Sequence, residues 1–599
     1  MKLSKVVGIA LILALPGVAC IEALDNSIKP LKRATLTDDW RDEVVYQLLV
    51  DRFANGDVNN DYQVVSGALA RYQGGDWRGI INHFDYLTAL GVTTIWISPV
   101  VRNVETDADV DAYHGYWSQD LTQTNPHFGD LATLRLLVKR AHESGIKVLL
   151  DVVANHMGQV FFYDMNMNGK PDEYIAGTGT ISPVTRTTEW DPDFDPRGIQ
   201  AQTSLGVAGR APIIFINDPL INRIPPRPAI FASAAAYHAF GRVLSYDDPK
   251  QVLLADFPGG LKDLATELPQ VRTALIDAYV QWVKLVDFDG FRLDTVKHVE
   301  HDFWRVFSKG VRDRLAAEGK TNFMLVGEAF DGDDALLGSY TRPGELDSVF
   351  YFSQHFQVFR DVFEYANDPT KRRGTDQIAS LWSTKKGNYG TAPQPGGIGL
   401  PPYKALMNII ENHDRPRFLF ESNGNLAALR NALTLLMTEE GIPCIYYGSE
   451  QEFSGGNDPA NREVLWKTAF STEGGTFRHI ARLAKIRQQY IALRRGDTTV
   501  RWSSAHVGTE SDAGIFAFER GGGDVGNQKV LVVMNVSESQ QSATERPGLG
   551  LTTAFAPGTI LVDVLSETPR QVTVDRGGEL HMQLPPQSAA ILVPQNQVM

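Results

Sequence analysis

Four short segments place polar side chains directly after apolar runs. "DVVANH" carries Asp151, Asn155 and His156, and "GFRLDTVKH" carries Arg292, Asp294, Lys297 and His298. "GEAF" carries Glu328, and "IIENHD" closes on Asn412, His413 and Asp414. A strand that only had to pack would not finish this way. Arg292 and Asp294 are two apart, so on a strand both point to the same side. Gathered in one pocket, the carboxylates of Asp294, Glu328 and Asp414 would raise the proton affinity of at least one member. Glu328 is expected to hold its proton near neutral pH, while Asp294 stays ionised beside Arg292. One protonated acid with one ionised carboxylate is the apparatus of glycoside hydrolysis. Each residue alone reads as one end of a structural salt bridge. Three carboxylates with His156 and His413, all at strand ends, read as a site.

The elements that must position them alternate from residue 43 to about residue 490. The strand candidates are "EVVYQLLVDRF", "VTTIWISPV", "IKVLLDVVANH", "DFDGFRLDTV", "FMLVGEAF", "DSVFYF", "LMNIIENHD" and "IPCIYYGSE". Near-continuous β-branched and aromatic runs indicate strands buried on both faces, hence a parallel sheet. Amphipathic helices fall between them. In "DLATLRLLVKRAHESG", Asp130 suits an N-cap, Leu134, Leu137, Val138 and Ala141 form one stripe, and a glycine ends the run. The pattern predicts an α/β fold, a (β/α)8 TIM barrel, with chemistry at the C-terminal ends of its strands. An open doubly wound sheet is the alternative, but no glycine-rich phosphate loop follows the first strand.

The barrel is expected over residues 38–156 and 269–496. Residues 157–268 are too long for a structureless loop and predict an inserted subdomain after strand 3. Residues 497–599 show short strands with turns and no helix, a C-terminal antiparallel β-sandwich domain. The chain of 599 residues is 43% hydrophobic and 21% charged, normal for a soluble globular protein. A net charge of −14 argues against nonspecific nucleic-acid binding. Residues 1–19 resemble a signal peptide: Lys2 and Lys5, an apolar run from Val6 to Leu15, then small residues. The run is too short to span a bilayer. The protein is expected to be exported, secreted or periplasmic. Cleavage after Ala19 would leave Cys20 first, either unmodified or carrying a lipid as the only membrane attachment. With Cys444 the only other cysteine, no intramolecular disulfide is expected. A monomer is expected.

"DVVANH", "GFRLDTVKH", "GEAF" and "IIENHD" together resemble the four short motifs of the α-amylase family of glycoside hydrolases. "YHGYW" and "GGNDPANR" also match. Within the family the likeness is strongest to cyclodextrin glucanotransferases and related bacterial α-amylases. The resemblance implies Asp294 as nucleophile, Glu328 as general acid and then base, and Asp414 as the third carboxylate, favouring the distorted sugar. It implies substrate contacts from His114, Tyr116, His156, Arg292, Lys297, His298, His413, Asp458 and Arg462. The substrate would be an α-glucan polysaccharide or oligosaccharide.

"DRFANGDVNND" places oxygen-bearing side chains on a tight turn, which suits calcium or an ordinary Asx-rich turn equally well. The resemblance implies structural Ca2+ at two sites. The first would use Asn55, Asp57, Asn60, Asp61, Gly74 and Asp76. The second would use Asn155, Asp263 and the main-chain carbonyl of His298, joining barrel and insert. "DMNMNGKPD" opens like an EF-hand loop, but Ile175 sits where its bidentate acid belongs, so a polar turn is expected.

The expected activity is retaining cleavage of α-1,4-glucosidic bonds in starch and maltooligosaccharides. The alternatives are a cyclodextrin glucanotransferase or 4-α-glucanotransferase, a cyclomaltodextrinase-type maltogenic amylase, and a catalytically inactive glucan-binding protein. The transferases carry a central aromatic residue four positions before the calcium aspartate. Here that position is Gly259, which favours hydrolysis. Phe330, two residues after Glu328, is transferase-like and points the other way.

Overall fold

The computed structural model describes residues 35–599 except 108–109, 164–173, 176–185, 188–209, 211, 220–222, 242, 244 and 258–259. The expected export segment with Cys20, the Asp164–Asp172 stretch expected to form a turn, and Gly259 lie outside the described residues.

The eight expected apolar runs all enter one parallel sheet. Its strands are β1 (Val45–Leu48), β2 (Thr94–Ile97), β3 (Lys147–Val152), β4 (Gly290–Leu293), β5 (Met324–Gly327), β6 (Ser348–Val349), β7 (Met407–Ile409) and β8 (Ile442–Tyr446). The order is β6-β5-β4-β3-β2-β1-β8-β7. A parallel bridge between Phe350 and Met407 closes the ring. The strands are buried on both faces, as their continuous apolar character requires.

A helix follows each strand: α1 (Phe84–Leu90), α2 (Leu131–Glu143), α3 (Pro269–Val286), α4 (His301–Ala316), α5 (Asp334–Ser339), α6 (Asp376–Tyr389), α7 (Leu426–Thr438) and α8 (Gly475–Gln489). In α2, Asp130 accepts from the Thr133 N–H at 2.8 Å, and Leu134, Leu137, Val138 and Ala141 are the buried face. Between β6 and α6 the chain forms a π-helix, His355–Glu364.

The chain leaves the barrel after β3 through His156–Met157, which pairs antiparallel with Lys262–Asp263 (His156 opposite Asp263) on its return. Within the insert, Phe161–Tyr163 pairs with Ile213–Phe215. This neck fixes the inserted segment beside the ends of β3 and β4.

The C-terminal domain is built on a six-stranded antiparallel sheet of β9 (Asp497–Trp502), β10 (Ile515–Gly521), β11 (Lys529–Asn535), β12 (Ile560–Asp563), β13 (Gln571–Thr573) and β14 (Ser588–Pro594). Strict alternation divides its side chains between two cores. Ile515, Ala517, Leu531, Val533 and Leu592 pack inside the domain against Leu551, Leu580 and Leu584. Phe516, Phe518, Val530, Val532, Met534 and Ile591 join the barrel core instead. Trp382 of α6 meets the rings of Phe516 and Phe518 at 5.4 and 5.3 Å.

Candidate active site

β4 ends in Arg292 and Leu293, with Asp294 directly after it, and the pleat turns both polar side chains into the barrel mouth. The Arg292 Nη1 donates to Asp294 Oδ1 at 2.6 Å and to Asp151 Oδ1 at 2.9 Å. Its Nη2 lies 3.4 Å from Glu328 Oε2. One guanidinium therefore holds carboxylates from the ends of β3, β4 and β5. Its flat face rests 4.8 Å from the Trp96 ring of β2. Arg292 is fully buried and does not line the cleft; through these bonds it positions the carboxylates.

Burial raises the proton affinity of Asp151, Asp294 and Glu328, and Arg292 opposes it in all three. The donors decide where a proton rests. Asp151 accepts from Arg292, Trp96 Nε1 (2.8 Å) and the Tyr116 hydroxyl (2.8 Å), and Asp294 accepts the shortest bond of the set. Glu328 has a backbone N–H of Thr295 at 3.0 Å and only the longer approach of Arg292. Glu328, with the fewest and longest donor contacts of the three, is the carboxyl best placed to carry a proton. Thr295 holds φ +47°, a region that non-glycine residues seldom occupy, and so turns its N–H toward that carboxyl.

Asp414, after β7, is 40% exposed in its side chain, against 9% for Asp294 and 6% for Glu328, so it faces the open cleft. The Nε2 of His413 lies 3.2 Å from Asp414 Oδ2, and its Nδ1 meets Gln47 Nε2 at 2.6 Å. The Tyr116 ring is parallel to the His413 ring at 5.2 Å. Burial keeps His114, His156 and His413 neutral, with His156 lowered to about 3. Neutral imidazoles can donate to or accept from sugar hydroxyls. His114 Nδ1 accepts from the Tyr116 N–H at 3.1 Å, and His156 Nε2 lies 3.2 Å from the Tyr116 carbonyl.

Arg462 joins the neighbouring surface. It lies 3.4 Å from Asp414 Oδ1 and 3.1 Å from Asp458 Oδ1, and donates to the Tyr113 hydroxyl at 3.0 Å. On the opposite side Lys297 Nζ donates to the Phe330 carbonyl at 2.8 Å and lies 3.2 Å from Asp331. His298 Nδ1 meets the Val252 carbonyl at 3.0 Å, in the inserted segment.

A single cleft of about 750 Å³ is lined by Asp294, Glu328 and Asp414 together with His114, Tyr116, His156, Lys297, His298, His413, Asp458 and Arg462. Trp117, Tyr246 and Phe257 also line it. The Phe257 ring lies parallel to His156 at 5.6 Å and edge-on to His298 at 5.0 Å. Phe257, two residues before Gly259 in the sequence, contributes an aromatic ring to the cleft. "YHGYW" did mark Trp117. Nothing in the local sequence marked Phe257 or Tyr246, because both reach the cleft from the insert.

Two oxygen clusters bear on metal binding. Asn55 Oδ1, Asn60 Oδ1 and Asp61 Oδ1 are buried without hydrogen-bond partners. Gly74, at φ +98°, lies against them, and a Cβ there would come within 2.6 Å of Asp61 Oδ1. Asp76 accepts from the N–H groups of Gly56, Asp57 and Gly79, and Asp57 accepts from Asn59, so both carboxylates are already fixed by the loop. At the second cluster one end of the Asn155 amide lies 3.3 Å from Asp263 Oδ1 and 3.1 Å from the His298 carbonyl. With nitrogen turned inward it donates to both. With oxygen inward, three oxygens face one another, the donor set a hard cation needs.

The α-amylase catalytic-domain family model matches residues 47–471, and the α-amylase C-terminal all-β domain model matches residues 507–595. α-Amylase 2 of Schwanniomyces occidentalis is 28% identical over 533 residues, 88% of this chain and 85% of that protein. Among solved structures, the α-amylase of Geobacillus thermoleovorans complexed with acarbose superposes with a TM-score of 0.66 at 26% identity, covering 93% of this chain and 98% of the other. A cyclomaltodextrin glucanotransferase with a three-domain architecture gives 0.69 at 27% identity, covering 92% and 99%. A closed parallel barrel with its carboxylates at the strand ends, followed by the matching β domain, makes this chain a glycoside hydrolase of the α-amylase family.

Proposed function

We propose that the protein hydrolyses α-1,4-glucosidic bonds in starch and maltooligosaccharides with retention of anomeric configuration. The observation that carries this reading is the shared Arg292, which seats Asp294 at 2.6 Å and Glu328 at 3.4 Å on neighbouring nitrogens of one guanidinium. Asp294 attacks the anomeric carbon while Glu328 protonates the leaving oxygen, giving a glycosyl-enzyme. Glu328, now ionised, takes a proton from water, which displaces Asp294. Asp414, with His413 and Arg462 beside it, hydrogen-bonds the ring hydroxyls most strongly in the distorted transition state. The acarbose complex of the Geobacillus relative supports an α-glucan ligand. Retention requires the two carboxyl groups to stand about 5–5.5 Å apart during reaction.

Structural calcium at both oxygen clusters is part of the proposal. Asn55, Asn60 and Asp61, with Gly74, would hold one ion, and Asn155, Asp263 and the His298 carbonyl the other. Calcium there would neutralise buried oxygens and brace the cleft wall. Export directed by residues 1–19 is also proposed, on the charged, apolar and small-residue pattern of that segment.

Glucan transfer is the second reading. Phe257 and Phe330 favour it, because aromatic walls could hold an acceptor sugar against water. The deciding experiment is product analysis on soluble starch. Reducing sugars released first as the α-anomer support retaining hydrolysis. Cyclic products without new reducing ends support transfer. Release of the β-anomer, or an Asp294→Asn protein of undiminished rate, would sink the covalent mechanism.

A further inference from the structure

Far from the cleft in chain order, three short antiparallel strands of the C-terminal domain bring together four titratable side chains. Glu545–Arg546 pairs with Leu549–Thr552, which pairs with Glu579–Leu580. Gly550 stands opposite Glu545, and the register carries it opposite His581 on the other side. Glu579 and His581 are two apart and share that face. Gly550 is not among the positive-φ glycines, so its backbone does not call for glycine. The space does: a Cβ at 550 would lie 2.5 Å from Glu579 Oε2 and 3.2 Å from His581 Cε1. Over this side-chain-free position Glu545 and His581 meet across the middle strand.

His581 Nδ1 meets Glu545 Oε2 at 2.7 Å. Its Nε2 then faces Asp575 Oδ2 at 3.5 Å and Glu579 Oε2 at 3.7 Å. Asp575 is aimed by its turn, because its Oδ1 accepts from the Gly577 and Glu579 N–H groups at 2.8 Å each. The three donor atoms lie within 4.8 Å of one another. Separations of 3.5 and 3.7 Å are long for hydrogen bonds but near the edge of a tetrahedron with bonds of about 2.0–2.1 Å, roughly 3.4 Å. Among the described residues no lysine or arginine forms an ion pair with these three carboxylates; their one basic partner is His581.

We propose that Asp575, Glu579 and His581 bind a divalent transition-metal ion, with Glu545 orienting the imidazole. Nitrogen with carboxylate oxygens suits zinc or its first-row neighbours rather than calcium, which prefers an all-oxygen shell. A carboxylate on the outer ring nitrogen fixes the tautomer that leaves Nε2 free to ligate. Bound there, the ion would clamp the turn at residues 575–578 onto the middle strand. This site is independent of the activity assigned to the barrel.

The test is zinc titration of the full-length, chelator-stripped protein by calorimetry, with native mass spectrometry to count ions. Histidines in the cleft can also take zinc, so the comparison is between variants. The wild type should bind one zinc more than His581→Ala, and the Asp575→Asn/Glu579→Gln double variant should lose the same ion. Glu545→Gln should bind it about 10–100-fold more weakly. Gly550→Ala, which fills the cradle, should also lose the ion. Starch hydrolysis should be the same in all of them. Equal zinc counts in wild type, His581→Ala and the double variant, or no zinc uptake at millimolar concentration, would overturn the proposal.

Discussion

Arg292 near the end of β4 and Asp294 just after it meet at 2.6 Å, and the same Arg292 nitrogen holds Asp151 of β3 at 2.9 Å. Neighbouring strands are thus cross-linked by one buried charge directly beneath the reacting position. Asp294→Asn is expected to abolish turnover. Arg292→Lys keeps the charge but not the planar fork, so Asp294 and Glu328 lose their common reference. A displacement of about 1 Å costs on the order of 100-fold in rate. Steady-state kinetics on maltooligosaccharides measures both, and an Arg292→Lys enzyme within a factor of three of wild type would refute the positioning role.

The acid should be visible in the pH profile. Burial holds the Glu328 carboxyl above the ordinary glutamate range, the Arg292 charge opposes this, and the Asp414 charge adds to it. The proposed mechanism needs Glu328 protonated, so activity should fall as pH rises through its value. Asp414→Asn removes a negative neighbour and makes ionisation of Glu328 easier. The alkaline limb of residual kcat/KM should therefore move to lower pH. An unmoved limb would separate Asp414 from the acid.

Arg52 lies behind Tyr113 and Arg462, the latter lining the cleft. Its guanidinium sits 3.8 Å over the Tyr113 ring, and its Nε donates to the Arg462 carbonyl at 2.9 Å. Arg52→Lys cannot keep both contacts. KM on maltooligosaccharides is expected to rise about 10-fold, roughly 1.4 kcal/mol, with kcat less affected. Unchanged KM would show that Arg462 is held in place without it.

Chelation should lower the melting temperature by several degrees if the buried oxygens of Asn55, Asn60 and Asp61 face an ion. An ion present at about 100 times its Kd stabilises the fold by roughly 2.7 kcal/mol. Calorimetric scans in calcium and in excess chelator provide the measurement. Superimposable scans would falsify the calcium assignment.

Acid should destabilise the fold through buried histidines outside the cleft. Burial lowers His355 to about 3 and His479 to about 4. The unfolded chain takes these protons near pH 6.5, while the folded chain refuses them. Between those values the unfolded state binds more protons, so stability is lost as pH falls from about 6.5 toward 3 or 4. The slope is about 1.4 kcal/mol per pH unit for each histidine. His355→Gln should flatten the dependence of unfolding free energy on pH over that window, whatever it does to stability at pH 7. A slope equal to that of the wild type would count against it.

Much of this architecture could be read from local pattern. Apolar runs named the barrel strands, Asp130 named a helix start, and polar residues after those runs named Asp294, Glu328 and Asp414. Such signals survive in the sequence because strand and helix periods act over a few residues. The π-helix at His355–Glu364 did not declare itself, since its buried positions His355, Val358, Phe359, Val362 and Phe363 repeat like those of an α-helix.

By itself the sequence determined the order of strands and helices and which of them end in acids and histidines. Packing decided which distant groups meet. Asp151 accepts from Arg292 because β3 and β4 are neighbours in register, with Arg292 opposite Asp151. Phe257 and Tyr246 wall the cleft because the neck at His156–Met157 and Lys262–Asp263 seats the insert over the mouth of the barrel. Glu545 reaches His581 because the register of three short strands sets them on either side of Gly550. Contacts between residues far apart in the chain depend on register, crossing and burial, which only the folded core fixes.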